Sequence, residues 1–312
     1  MRTESIRERF GLAMLELGRR YPRVVVVTGD LMYPTQVHHF AQAYPDRFYD
    51  VGIAEQNMIG VAAGMATCGK IPFVCSYANF TALRACEQIR NDICYTNLNV
   101  KIAGLSSGLT YGVGGPTHQS YEDLATMRSM ANMTVVVPAD ANAAEAAVFA
   151  AYEHDGPVFL RLGRGPEPVV YDRDASFTIG RACQLREGQD VSIIANGPMV
   201  YEALSAAEHL EKAGIDCRVY DMHTLKPLDL DSLRSAGLET NLIVTVEEHY
   251  IIGGLGSAVL EGLNELGVST PVMRIGIPDL FPIIGPTNEL RAHYGLCADN
   301  IVRNVKAALS SI

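Results

Sequence analysis

Residues 24–27 are four consecutive valines, and the polar tripeptide Thr28-Gly29-Asp30 follows at once. A strand that is apolar at every position has no face to give to water. It belongs inside a sheet covered on both sides, and such sheets are mostly parallel. The run therefore points to an α/β layer architecture. The rest of the chain keeps the same rhythm. Apolar recurrence at Ile6, Phe10, Ala13, Met14 and Leu17 predicts a helix over 3–20. Strands are expected at 48–51, 71–75, 100–105, 134–137 and 158–162, with helices from 55, at 81–97, at 121–130 and at 141–153 between them. Residues 165–190 are rich in Pro, Gly and charge and have no long period, so they read as a linker with room for one edge strand. A second alternation follows, with strands at 191–195, 216–221, 241–246 and 271–275 and helices at 199–213, 230–236, 254–266 and near 298–311. The expectation is an α/β protein of two doubly wound domains, 1–175 and 186–312, and 312 residues suffice for two cores.

Charge and cysteine content narrow the function. The net charge is −10 with no basic cluster, which argues against a nucleic-acid or anionic-membrane surface. Any anionic substrate must then be met by individual arginines in loops. The seven cysteines form no CxxC pair and have no histidine at zinc spacing, so they read as reduced, mostly buried thiols of a cytoplasmic protein. No apolar run is long enough to span a bilayer, and the charged start MRTESIRERFG has no apolar signal core.

Asp50–Gly64, DVGIAEQNMIGVAAG, leads from a strand into a Gly/Ala-rich helix with one carboxylate, Glu55, near its start. Glu55 is either a helix-start acid favoured by the macrodipole or an acid held where water is scarce, which then needs a partner. His118, in the loop GGPTHQ (114–119), is placed to pass protons near neutral pH or simply faces solvent. Tyr77 and Phe80 after the third strand are core packing or a flat wall for a ring. Arg164, between two glycines, presents its fork to an anion or to water. Asp30 caps a turn or reaches a ligand. No Walker loop, GxGxxG or HExxH occurs, and the GxSxG match at 104–108 lacks the helix that a nucleophile elbow requires.

Taken in order, DVGIAEQNMIGVAAGMA, SYANF, GGPTHQSYEDLA, KPLD and VTVEEHYIIGGLGSAV resemble transketolases and their relative deoxyxylulose-phosphate synthase. The pairing of AEQN with GPTHQ favours this branch over the β subunits of 2-oxo-acid dehydrogenases. The resemblance covers the second and third domains of full-length enzymes. It implies a pyrimidine-binding thiamine-diphosphate fold followed by a transketolase C-terminal-like domain. The family's GDG…N motif, which holds the diphosphate and Mg²⁺, does not occur. The resemblance thus implies the C-terminal subunit of a split transketolase, needing an N-terminal partner in an α2β2 assembly.

By position, the resemblance gives Glu55 the hydrogen bond to the pyrimidine ring nitrogen. Phe80 takes the stacking wall, with Tyr77 and Leu83 beside it. Asp30 takes the cleft lining, and His118 a place near the reacting carbon. Arg164 and Arg2 take an anionic substrate group. Two departures bear on the substrate: Gly114 stands where transketolases carry a sugar-contacting aspartate, and Ser106 falls close to where they carry a phosphate-contacting histidine that this chain lacks. Three further readings stay open: a synthase that decarboxylates pyruvate, an E1β-type subunit, and a non-catalytic regulatory paralogue. Glu247, Glu248 and His249 match the family pattern and read as a buried ion pair.

Overall fold

The computed structural model describes residues 2–310. The chain opens with strand β1 (Thr3–Ser5) and helix α1 (Ile6–Arg20). Ser5 caps α1, its hydroxyl accepting from the Glu8 N–H at 3.4 Å, and the acid of the first turn and the arginines of the last suit the helix dipole. The valine run is β2 (Val24–Thr28), followed by α2 (His38–Ala43), β3 (Phe48–Asp50), α3 (Glu55–Thr67) and β4 (Ile71–Tyr77). The helix expected at 81–97 is built of wide π turns at Phe80–Arg84 and Ile89–Cys94 around a short α4 (Cys86–Gln88). Then come β5 (Lys101–Leu105), α5 (Asp123–Ser129), β6 (Thr134–Val136), α6 (Ala141–Glu153), β7 (Val158–Arg161) and β8 (Pro166–Pro168).

The second half contains β9 (Cys183–Arg186), β10 (Val191–Ala195), α7 (Met199–Glu211), β11 (Cys217–Asp221), β12 (Thr224–Lys226) and α8 (Leu230–Glu239). It closes with β13 (Leu242–Tyr250), α9 (Leu255–Leu266), β14 (Val272–Ile277), α10 (Thr287–His293) and α11 (Ala298–Leu309).

The first sheet runs β12-β6-β7-β5-β4-β2-β3 and the second β14-β13-β10-β11-β9. Strands β2 to β7 are parallel, as the valine run requires, and all of β2, β4, β5 and β7 is buried. β12 is the exception to a clean division. It leaves the second half and pairs antiparallel with β6 at the edge of the first sheet. The linker region holds two strands where one was expected: β8 pairs with β1, and β9 edges the second sheet.

The two halves share their cores. One apolar cluster runs from Met58, Ala62 and Ile89 of the first half to Leu225, Leu233 and Val259 of the second. Another joins Leu109 and Tyr121 to Val244 and Ile277. Removing a large side chain from such a cluster costs about 2–5 kcal/mol, so the halves are coupled in stability. Among the described residues no helix is long and apolar enough to cross a membrane.

Candidate active site

In an open parallel sheet, ligands bind beyond the carboxyl ends of the strands. The neighbouring order β7-β5-β4-β2-β3 brings five such ends together. Asp30 follows β2, Glu55 follows β3, Tyr77 ends β4 with Phe80 three residues on, Tyr111 and His118 follow β5, and Arg164 follows β7.

Glu55 is the first residue of α3 and is 3% exposed, so it is at once a helix-start acid and a buried one. The hydrogen bonds to its carboxylate come from Arg84 Nη1, at 3.3 Å to each oxygen. Arg84 itself is half exposed, and its guanidinium lies over the Phe80 ring at 4.7 Å. A buried carboxylate with one distant partner is under-satisfied by the usual standard for buried charge.

The aromatic wall is larger than the sequence suggested. The Tyr77 and Phe80 rings are 5.8 Å apart, and His118 stands edge-on to Phe80 at 5.5 Å. Tyr111 completes the box, 5.6 Å from Tyr77 and 5.5 Å from His118. Arg164 lies over the Tyr111 ring at 3.9 Å and donates to the Tyr77 hydroxyl at 3.4 Å. Tyr111 escaped the sequence reading because a lone tyrosine in a Gly-rich loop has no periodicity. Its spacing seven residues before His118 was the available signal. His118 Nδ1 lies 2.9 Å from the Thr117 hydroxyl. Asn79 donates to the Thr117 carbonyl at 2.7 Å, tying this loop to the end of β4, while its own Oδ1 is buried with no protein partner.

The remaining candidates divide. Leu83 is 46% exposed beside Arg84. Asp30 is exposed in the left-handed region at φ 59°, its N–H held by Asp50 Oδ1 at 2.9 Å. Gly114 is needed where it is, since a Cβ there would stand 2.9 Å from the His118 Cβ. Ser106, just after β5, is 1% exposed. Arg2 is exposed and paired with Glu4. Arg7, not singled out from sequence, instead lines a cavity of about 500 Å³ together with Arg164 and Arg173. Arg7 reaches towards the loop after β2, where it donates to the Pro34 carbonyl at 3.4 Å.

Behind the box runs a buried polar seam. Arg161 donates to Asp123 at 2.7 Å and to the carbonyls of Ser120 and Glu248 at 3.0 and 2.9 Å. Glu247 accepts from the N–H groups of Leu255 and Gly256 at 2.6 and 2.8 Å, capping α9. Burial pushes the Glu247 carboxyl up to about 7. Burial pushes His249 down to about 4, so it is neutral, with Nδ1 near the Tyr250 carbonyl and Nε2 accepting from Ala125. Glu248 is paired with Arg291 at 2.6 Å.

The strand ends of the first sheet thus present a buried carboxylate, an aromatic wall and a histidine. The transketolase pyrimidine-binding domain matches residues 3–167, and the transketolase C-terminal domain matches residues 180–301. The chain belongs to the transketolase family. A putative transketolase C-terminal section from Methanocaldococcus jannaschii is 41% identical, covering 97% of this chain and 95% of its own length. A 6-deoxy-6-sulfo-D-fructose transketolase subunit from a Clostridium species is 43% identical, covering 96% and 92%. A solved structure described as a split-gene transketolase, inactive beta4 tetramer, superposes with a TM-score of 0.90 at 48% identity, covering 98% of each chain. This chain is therefore the counterpart of the C-terminal section that split transketolases carry as a separate subunit.

Proposed function

We propose that this chain is the pyrimidine-side subunit of a two-chain, thiamine-diphosphate-dependent transketolase that moves a two-carbon ketol unit from a ketose to an aldose. One observation carries the reading: a buried, under-satisfied carboxylate at the start of α3, whose arginine partner lies over an aromatic ring. The donor set fits an aminopyrimidine, which is flat and offers ring and amino nitrogens. The unpartnered Asn79 Oδ1, next in the chain to Phe80, adds a second buried acceptor.

When bound, thiamine diphosphate supplies an acidic ring carbon that becomes the nucleophile towards the ketose carbonyl. The residues of this chain prepare that chemistry. Glu55 holds the pyrimidine ring nitrogen through a carboxylate oxygen and keeps a proton there. Arg84 must swing off Glu55 to allow it, and its half-exposed side chain is free to do so. Phe80 stacks on the pyrimidine, while Tyr77 and Leu83 narrow the slot and Asp30 lines its mouth. His118 moves a proton at a substrate hydroxyl. Arg164 and Arg7 hold an anionic group at the far end of the substrate, as guanidinium forks do for phosphate and sulfonate alike. Gly114 removes the carboxylate found there in common transketolases, which suits a sugar differing at that hydroxyl. Arg2 and Ser106 keep no part in this reading.

Mg²⁺ and the diphosphate fall to an N-terminal partner subunit carrying a GDG…N motif, in an α2β2 assembly. Support comes from the surface around Glu55. Ile53 is 75% exposed, and Gly60 and Gly64 of α3 have open space before them, so another chain can approach closely.

The test is Glu55→Gln in the complex reconstituted with that partner. Two-carbon transfer should fall about 100-fold or more, and calorimetric binding of thiamine diphosphate should weaken. Near-full turnover in Glu55→Gln would remove the proposed role. Absence of cofactor binding in the wild-type complex would favour the regulatory paralogue.

A further inference from the structure

Tyr111 and His118 ride on a long Gly-rich loop, and such loops are ordinarily mobile. Here the second domain grips it at several points. Glu248 Oε1 accepts the Leu109 N–H at 2.6 Å, and Thr287 Oγ1 donates to the Leu109 carbonyl at 3.2 Å. Gln119, at the other end of the loop, donates to the Gly112 and Ile283 carbonyls at 3.1 and 3.4 Å. The grip leaves no slack. A Cβ on Gly108 would run into Glu248 Oε1, and one on Gly112 into the Gly285 carbonyl.

Arg291 connects this grip to the other wall of the site. One turn along α10 from Thr287, its Nε donates to Glu248 Oε2 at 2.6 Å. Its two Nη groups donate to Glu167 at 2.9 and 2.8 Å, a bidentate pair. Glu167 is in β8, three residues beyond Arg164. All three side chains are buried, at 9% exposure or less. One guanidinium thus fixes the backbone that leads to His118 relative to the backbone that carries Arg164. Lysine has neither the fork nor the reach to make both sets of bonds.

We propose that Glu248 and Arg291 are positioning residues of the substrate site, through which the second domain sets the distance between the Tyr111/His118 loop and Arg164. The word "substrate" rests on the transketolase reading above; the clamp itself does not. Neither residue faces the reacting groups, and each acts through the segment it holds. The second domain therefore takes part in turnover without contributing a residue to the chemistry.

The experiment is amide hydrogen exchange on the full chain, comparing wild type with Arg291→Met and Arg291→Lys. Exchange across 106–120 should rise at least ten-fold in Arg291→Met and by an intermediate factor in Arg291→Lys, while peptides of β10 and β11 stay unchanged. Unaltered exchange in the loop overturns the proposal. So does a uniform rise over the second domain, which would mean that the clamp only holds the fold. Should Arg291→Met not fold, Thr287→Val removes the hydroxyl that donates to the Leu109 and Thr110 carbonyls at 3.2 and 3.4 Å and should speed exchange at 108–112 alone; no change there also overturns it. In the reconstituted complex, KM for an anionic ketose should rise more than ten-fold in Arg291→Lys while thiamine diphosphate affinity holds. The cofactor reading fails instead in the wild-type binding measurement, leaving the exchange result intact.

Discussion

Glu55 and Glu248 are both buried carboxylates paired with an arginine, and they are built in opposite ways. Glu248 has a close guanidinium at 2.6 Å and a backbone N–H at 2.6 Å, and its arginine is only 9% exposed. Glu55 has a guanidinium at 3.3 Å whose side chain is 52% exposed. Burying charge is costly unless good geometry and further hydrogen bonds repay it. The seam meets that condition within the chain. The carboxylate at the strand ends does not, and the reading proposed here gives its missing partner to the cofactor. The contrast separates a place that keeps the fold from the place to which the proposed function gives the cofactor.

The contrast breaks most sharply at Glu55. Glu55→Gln should cost the complex about 100-fold or more in transfer rate yet shift the melting temperature of the chain little, because it removes an under-satisfied charge. A large drop in melting temperature would put Glu55 with the structural acids.

Next in size is the seam. Arg161→Met leaves Asp123 buried and unpaired, and urea unfolding should show a loss of about 3–5 kcal/mol. A loss below ~1 kcal/mol would mean that the seam is no better paired than an exposed ion pair.

The pH dependence of stability sharpens the same point. His249 is held neutral, pushed down to about 4 by burial, whereas the unfolded chain titrates near the ordinary histidine value of about 6.5. Its contribution is therefore present above that value and lost as pH falls towards 4. The loss amounts to roughly 3–4 kcal/mol by the usual conversion of about 1.4 kcal/mol per pKa unit. Denaturation midpoints of wild type and His249→Gln should diverge over this window. Parallel profiles would assign the acid sensitivity to other groups, such as His223, which burial also pushes down to about 4.

The smallest effect belongs to Arg84. Its pair with Glu55 is half open to solvent, so Arg84→Ala should change stability by only about 0–1 kcal/mol. A larger loss in urea unfolding would mean that Arg84 is part of the frame rather than a side chain free to yield its place.

Much of the fold was legible in the chain itself. The run Val24–Val27 is apolar throughout, and only a sheet covered on both faces accepts it. The helical period of α1 is as plain. Glu55, Tyr77, Phe80, His118 and Arg164 could be picked out because each follows a strand or opens a helix, and strand ends converge. What escaped was short or long-range. β12 is three residues that pair with β6, some ninety residues earlier in the chain, and α10 is a seven-residue helix without a strong period. Tyr111 and Arg7 have value only through neighbours that the fold brings to them.

The sequence determined the order of strands and helices, the buried character of the parallel strands and the residues that end them, because periodicity and apolarity are local properties. It also carried the family resemblance. The tertiary structure alone decided that Arg7 rather than Arg2 joins Arg164, that Ser106 is shut away, and that Tyr111 closes the aromatic box. It also decided that Arg291 reaches across from the second domain to grip the His118 loop. Those are matters of distance between segments far apart in the chain, which depend on how the sheets stack and where the loops are pinned.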